Sequence, residues 1–277
     1  MSTLIFTNKD GQNAPFPLDD RIFLGEGLLE TLRVMHGKPC YAKFHWHRLK
    51  QAAFLLDIPF QISFDLWLKK LLDCIQLESL ENGGIKVILS GGRAPRGLVA
   101  KSQESCLVFN AFHYVKNSHA LKLVSSSWLR DSNNPIYKIK SLNYLEAIIA
   151  RRQAKSAGVD DVLFYNLKNH ATETSIANLF IIKNNQLYTP NIESGILAGI
   201  IRQRLLLLSK ANGIAYFESA LDKEILYQAD AIFVCNSLQG ICPVVKLDDV
   251  SFTTNHSLIT LLQDLLAKDS DEDCNLL

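Results

Sequence analysis

The stretch Pro135–Gln153, PIYKIKSLNYLEAIIARRQ, runs from a strand-like pattern into a helix-like one, with Lys138 and Lys140 at the seam. Leu142, Leu145, Ile148 and Ile149 recur at helical spacing, while Arg151, Arg152 and Gln153 fall on the wet side. This predicts a helix with Ser141 as its N-cap. Lys140 then stands just before the positive end of a helix dipole, where a cation is disfavoured. A lysine that must act as a neutral amine gains a lower pKa from such a position. The plainer alternative is a pair of exposed lysines at a strand end. Lys138 and Lys140 share a face if the run is a strand, so spacing alone does not choose between them.

Outward from this seam, strand and helix patterns mix without regular βαβ alternation. TLIFTN opens as a strand followed by a turn at KDGQ, and LGEGLLETLRVMHGKPCYA reads as two strands about a turn near Gly37. FHWHRLKQAAFLLDI is an amphipathic helix with Leu49, Ala52, Ala53, Leu55 and Leu56 near one side, and FDLWLKKLLDCIQLES is a second helix. GGIKVILSGG and ESCLVFNAFHYV are strands that bracket the loop GGRAPRGL. A first α/β domain over 1–114, a polar linker over 115–121 and a second domain over 122–277 follow from this order. In the second domain LKLVSSS, DVLFYN, SIANLFIIKN, QLYTP and DAIFVCNS read as strands, with an Asn184-Asn185 turn between the third and fourth. AGIIRQRLLLLSKANG reads as a helix closed by Gly213, LDKEILYQA as a shorter one, and the acidic end AKDSDEDCNLL as a fraying tail. The expected class is a mixed α+β fold of two domains.

The bulk numbers exclude several functions. A net charge of +1 gives no broad attraction to nucleic acid. No apolar run reaches the roughly 18–20 residues of a membrane span. The six cysteines include no CxxC pair, and they read as reduced thiols of a cytoplasmic protein.

Anion chemistry is the recurring theme. Arg93 and Arg96 in SGGRAPRGL offer forked donors, against the alternative of a hairpin loop with solvated arginines. His45 and His47 lack metal-site spacing and read as ordinary helix-start residues, whereas Arg48 beside them is another candidate cation. The glycines of SGILAGIIRQ precede a helix whose first N–H groups can hold an anion, and Asn236 and Ser237 follow a buried strand in a similar way. Glu173 is either a cation's partner or a strand-edge carboxylate. One lysine, one carboxylate, one arginine and Gly- or Ser-containing anion cradles suit an aldehyde cofactor bearing a phosphate, such as pyridoxal 5'-phosphate.

The ordered series GEGLLETLRV, HWHRL, GGRAPRGL, IKSLNYLEAIIARRQA, ATETSIANLF, YTP, GILAGIIRQ and VCNSLQGICPV resembles the fold-type IV pyridoxal-phosphate enzymes: D-amino-acid and branched-chain aminotransferases and aminodeoxychorismate lyase. It covers most of the chain. The resemblance implies a smaller N-terminal α/β domain, a larger C-terminal pseudo-barrel domain and a homodimer. It assigns the Schiff base to Lys140 rather than Lys138, the pyridine-nitrogen carboxylate to Glu173, and the phosphate to Arg48, the Ile200 and Ile201 backbone and Ser237. Leu197 packs on the ring and Tyr144 reaches its hydroxyl in the same reading. Many relatives have Thr in place of Ile201, which removes one hydroxyl contact here. Leu29, Arg96 and Leu98 stand where the D-amino-acid enzymes build a Tyr and Arg-x-His carboxylate trap, so only the arginine is kept. The Asn-Ser-Leu run of VCNSLQGICPV is similar to the lyase. The implied activity is conversion of 4-amino-4-deoxychorismate to 4-aminobenzoate and pyruvate, towards folate, with Arg96, Asn236 and Leu29 at the substrate. An aminotransferase of the same fold and a non-catalytic cofactor-binding scaffold are the alternatives.

Overall fold

The computed structural model describes residues 3–6, 21–116 and 119–275. The expected KDGQ turn lies outside them, as do Asn117 and Ser118 of the expected linker. The chain forms two compact units that are not simple halves of the sequence. One gathers Met1–Val115, Ile139–Asn143 and Ser270–Leu277; the other gathers Lys116–Lys138 and Tyr144–Asp269.

Among the described residues the first unit is a five-stranded sheet with two helices and the end of the chain's last helix. Its elements are β1 (Thr3–Phe6), β2 (Gly27–Met35), β3 (Lys38–Pro39), α1 (Ala42–Leu55), α2 (Phe64–Leu77), β4 (Gly83–Arg93) and β5 (Glu104–His113). The sheet order is β1-β5-β4-β2-β3, and every pairing is antiparallel. The turn between β2 and β3 uses His36 and Gly37, both at positive φ, as tight hairpins require. Alternation along β2 and β4 sends Leu28, Leu32, Val34, Ile85, Val87 and Leu89 into one core with Leu49, Ala53, Trp67 and Leu71 of the helices. Trp67 meets Phe109 edge to face at 5.5 Å between ring centres. In α1, Leu49, Ala52 and Ala53 are buried as expected, whereas Leu55 is exposed.

The second unit comprises β6 (Leu121–Arg130), α3 (Leu145–Ser156), β7 (Asp161–Asn166), β8 (Ala171–Thr174), β9 (Asn178–Lys183), β10 (Gln186–Pro190), α4 (Ile200–Ala211), β11 (Tyr216–Ser219), α5 (Lys223–Tyr227), β12 (Ala231–Asn236), β13 (Gly240–Leu247), β14 (Val250–Ser251) and the part of α6 (Ser257–Asn275) up to Asp269. Strands β9-β12-β13-β6-β7-β8 pair in that order, and β8 pairs back to β9, so the sheet closes into a barrel. Asn184 and Asn185, both at positive φ, make the expected turn from β9 to β10. The core holds the inward residues of these strands, including Leu163, Leu179, Ile181, Ile232, Val234 and Val244. Gly213, at φ 68°, follows the end of α4 as expected. Among the described residues no helix is long and apolar enough to cross a membrane.

Five local expectations are corrected. The seam does not carry a strand directly into a helix: Pro135–Lys138 is a 3-10 turn, and α3 starts only at Leu145. The cause lies in β2. Leu29 N–H donates to Lys140 O at 2.9 Å and Leu142 N–H donates to Gly27 O at 3.0 Å, so residues 140–142 spend their backbone groups on a strand edge. Ser141 is therefore not the N-cap, and its Oγ accepts from Asn143 N–H at 3.3 Å. The buried face of α3 is also not the one the large residues predict. Ala147, Ala150 and Ala154 are buried, while Leu145, Ile148 and Ile149 are exposed. Small residues let the helix approach Val162 and Phe164 closely. The run SIANLFIIKN is strand only from Asn178, because Ser175–Ala177 forms the turn from β8 into β9. The acidic tail is helical through Asn275.

Candidate functional site

In the first unit the candidate Arg48 meets a buried carboxylate, Glu30. The period-two pattern of β2 places Glu30 on the same face as Leu28, Leu32 and Val34, inside the core. His45 and Arg48 are three residues apart, hence on one side of α1. Arg48 donates Nε to Glu30 Oε1 at 2.8 Å and Nη2 to Oε2 at 2.6 Å; His45 Nδ1 lies 2.6 Å from the same Oε2. Burial alone raises the Glu30 pKa, but the Arg48 and His45 charges and hydrogen bonds outweigh it and bring it down to about 2. With Glu30 ionised, the proton in the short contact belongs to His45 Nδ1. Burial holds the His45 pKa below its ordinary value; Glu30 opposes that shift, while Arg48 and Lys140 add to it. His45 is fully buried, and its Nε2 has no hydrogen-bond partner among the described residues.

Lys140 is half-buried and Lys138 exposed. The backbone of Lys140 is fixed to Leu29, which is itself buried in β2. The expected dipole argument for Lys140 does not hold, since the first residue of α3 comes only after Ser141, Leu142, Asn143 and Tyr144. Arg93 ends β4, and Arg96 is solvent-exposed on the following loop with Leu98, whose exposure is 80%. Arg21 donates to the carbonyls of Gly97 and Leu98 at 2.7 and 3.3 Å and so ties the loop down.

In the second unit Glu173 sits where the barrel closes. Its strand partner is Asn178. Oε2 accepts from Asn178 Nδ2 at 3.2 Å and from Leu197 N–H at 3.1 Å, and Oε1 lies 3.4 Å from Arg130 Nη1. Arg130 is buried, pairs with Glu146 at 2.8 Å and has its guanidinium 3.6 Å from the centre of the Phe164 ring. Glu146 also accepts from Trp128 Nε1 and Tyr137 OH, which fixes it as the second anchor of the arginine. Asn178 Nδ2 further donates to Leu197 O at 2.9 Å. The half-buried Leu197 is therefore held at both its N–H and its carbonyl.

Helix α4 begins after Gly199, an N-cap without a side-chain hydrogen bond. A Cβ at Gly199 would lie 1.9 Å from Asn178 Oδ1, so only glycine fits. Ile200 and Ile201 bury their side chains, leaving their backbone N–H groups as first-turn donors that no cap side chain covers. Arg202 Nη2 donates to Pro190 O at 2.9 Å and anchors this turn. Ser237 lies in the turn after β12, half-buried. Asn236 Oδ1 accepts from Leu238 and Gln239 N–H at 3.1 and 2.9 Å, so that oxygen serves the turn. Tyr144 is the N-cap residue of α3, half-buried, without a side-chain capping bond.

The candidates thus fall into two groups. Leu29, Arg48, Arg96 and Lys140 belong to the first unit; Tyr144, Glu173, Leu197, Ile200, Ile201, Asn236 and Ser237 belong to the second. Sequence reasoning missed Glu30, His45, Arg130 and Asn178 as parts of these groups. Glu30 had a legible signal, a carboxylate on the core face of an alternating strand. Asn178 had none, because its role comes from barrel closure.

A solved Legionella pneumophila structure provisionally named 4-amino-4-deoxychorismate lyase is 51% identical, covers 94% of this chain and 97% of its own, and superposes with a TM-score of 0.92. A provisionally named branched-chain-amino-acid aminotransferase of Methanocaldococcus jannaschii is 29% identical over 87% of this chain and 84% of its own. The aminodeoxychorismate lyase of Bacillus subtilis is 27% identical over 94% and 90%. Residues 27–247 match the family described as amino-transferase class IV, and the chain belongs to that family as an enzyme of fold type IV.

Proposed function

We propose that this enzyme is an aminodeoxychorismate lyase that uses pyridoxal 5'-phosphate and converts 4-amino-4-deoxychorismate to 4-aminobenzoate and pyruvate, a step towards folate. The observation that carries the reading is the 51% identity to the Legionella protein over nearly the whole of both chains. The donor sets fit the cofactor. Arg48 and the open first turn of α4 suit a phosphate, with Ser237 adding a hydroxyl. Glu173 suits a protonated pyridine nitrogen, Leu197 an apolar ring face, and Tyr144 a ring hydroxyl. When bound, the cofactor supplies an aldehyde for a covalent bond to an amine and a ring that withdraws electrons.

The chemistry of the chain's own residues follows. Lys140 would hold the cofactor through its side-chain amine, which is free to act on the substrate's protons once the substrate amine takes its place. As a neutral amine it then takes the proton from the ring carbon bearing nitrogen, and as an ammonium it returns a proton to the departing pyruvate carbon. In this reading Arg96 orients a substrate carboxylate, Leu29 offers an apolar surface to the flat ring, and Asn236 contributes its amide to the substrate. The enzyme works as a homodimer.

Incubation with enzymatically made aminodeoxychorismate tests the reading. Equal amounts of pyruvate and 4-aminobenzoate, with no added keto acid, are expected. Brisk conversion of the cofactor to its pyridoxamine form by D-alanine or leucine, with no 4-aminobenzoate from aminodeoxychorismate, would establish the aminotransferase instead. The Methanocaldococcus relative keeps that second reading in play.

A further inference from the structure

We infer that Glu30 is a positioning residue of the anion site, holding Arg48 so that its guanidinium meets a phosphate in a single orientation. The inference rests on the proposed phosphate role of Arg48 and goes beyond it. Glu30 is fully buried on the core face of β2, where an apolar residue would be the cheaper choice. It engages Arg48 through two parallel bonds, Nε to Oε1 and Nη2 to Oε2. That fork fixes the plane of the guanidinium. His45 braces the same carboxylate at 2.6 Å from α1, so Glu30 is held from two positions of one helix.

Positioning and charge make opposite predictions. Glu30 is a negative group beside a site meant for an anion, so by charge alone its removal strengthens phosphate binding. By positioning, its removal frees the arginine to sample other rotamers and weakens phosphate binding.

The test uses the apo-protein and compares pyridoxal phosphate with pyridoxal, which lacks the phosphate, by absorbance titration. Glu30→Gln is expected to raise the Kd for pyridoxal phosphate at least tenfold and leave that for pyridoxal within twofold. Glu30→Asp keeps the charge but shortens the reach, and the same phosphate-specific loss is expected. This second variant decides the matter if the first does not fold, as judged by circular dichroism. Unchanged or tighter binding of pyridoxal phosphate by the folded variants would overturn the inference. Arg48→Ala is the reference. If it leaves the preference for pyridoxal phosphate over pyridoxal intact, the phosphate role of Arg48 is wrong and the inference falls with it. If it removes that preference while both Glu30 variants keep it, only the positioning role fails.

Discussion

Asn178 donates its side-chain Nδ2 to Glu173 Oε2 at 3.2 Å, and the same two residues are the strand pair that closes the barrel. One asparagine therefore serves both architecture and the candidate cofactor carboxylate. Asn178→Ala deprives Glu173 and the Leu197 carbonyl of a buried donor, at a cost of about 1–3 kcal/mol. Urea denaturation is expected to show that loss, together with a fall in turnover. A variant as stable and as active as the wild type would disprove the double role.

Glu173→Gln keeps the shape and removes the charge that faces Arg130 at 3.4 Å. The cofactor is expected to bind with similar affinity, while single-turnover chemistry slows by on the order of 10²-fold, as for the loss of one preorganised electrostatic partner. An unchanged single-turnover rate would remove Glu173 from that role.

The two seam lysines differ in burial and attachment. Lys138 ends an exposed 3-10 turn, whereas Lys140 is half-buried and bonded through its backbone to β2. Lys140→Ala is expected to abolish the yellow chromophore and lower turnover by at least about 10²-fold. Lys138→Ala is expected to stay within twofold of the wild type. The reverse pattern would reassign the covalent lysine.

Gly199→Ala puts a Cβ 1.9 Å from Asn178 Oδ1 although its φ of −68° is ordinary. The penalty is steric, and overpacking of this kind costs about 1–3 kcal/mol. Chemical denaturation of the apo-protein reads it directly. Combining the change with Asn178→Ala relieves the clash, so the double variant is expected to lose less stability than the sum of the two single losses.

Glu30 makes acid stability depend on a buried group. Its folded pKa, about 2, lies below its ordinary 4.5. The stability it contributes is present above pH 4.5 and is lost as pH falls towards 2, because the unfolded chain then binds the proton more readily. Urea midpoints for the wild type are expected to drop across that window more steeply than those of Glu30→Gln. Parallel curves would show that the carboxylate is not held ionised by Arg48 and His45.

Local turn chemistry and periodicity made much of the fold legible. The Asn184-Asn185 turn and the Gly213 end of α4 follow from residue types that tolerate positive φ, and the buried strand Ala231–Asn236 from a continuous apolar run. The start of α3 did not, because helical spacing in Leu142, Leu145, Ile148 and Ile149 says nothing about a backbone claimed by Gly27 and Leu29. The face of α3 was misread for a related reason. Close packing on Phe164 selects Ala150 and Ala154 over larger side chains. Among the site residues, Arg48 was legible as a cation, but its partner Glu30 required knowing that α1 covers β2. Arg130 and Asn178 owe their places to strands remote in sequence, which no local pattern records.

Barrel closure also sets an order of events in time. Leu121 on β6 pairs with Val244 on β13, so the ring cannot form until nearly the whole sequence of this unit exists. Joining such distant segments costs chain entropy before most of the pairings are gained, and topologies rich in distant pairings fold slowly. During synthesis, the strands up to β12 have left the ribosome with unpaired edges still waiting for β13. The second unit is therefore completed only once β13 has emerged, and the interval before that is when its open β-strands are most exposed to pairing with another chain.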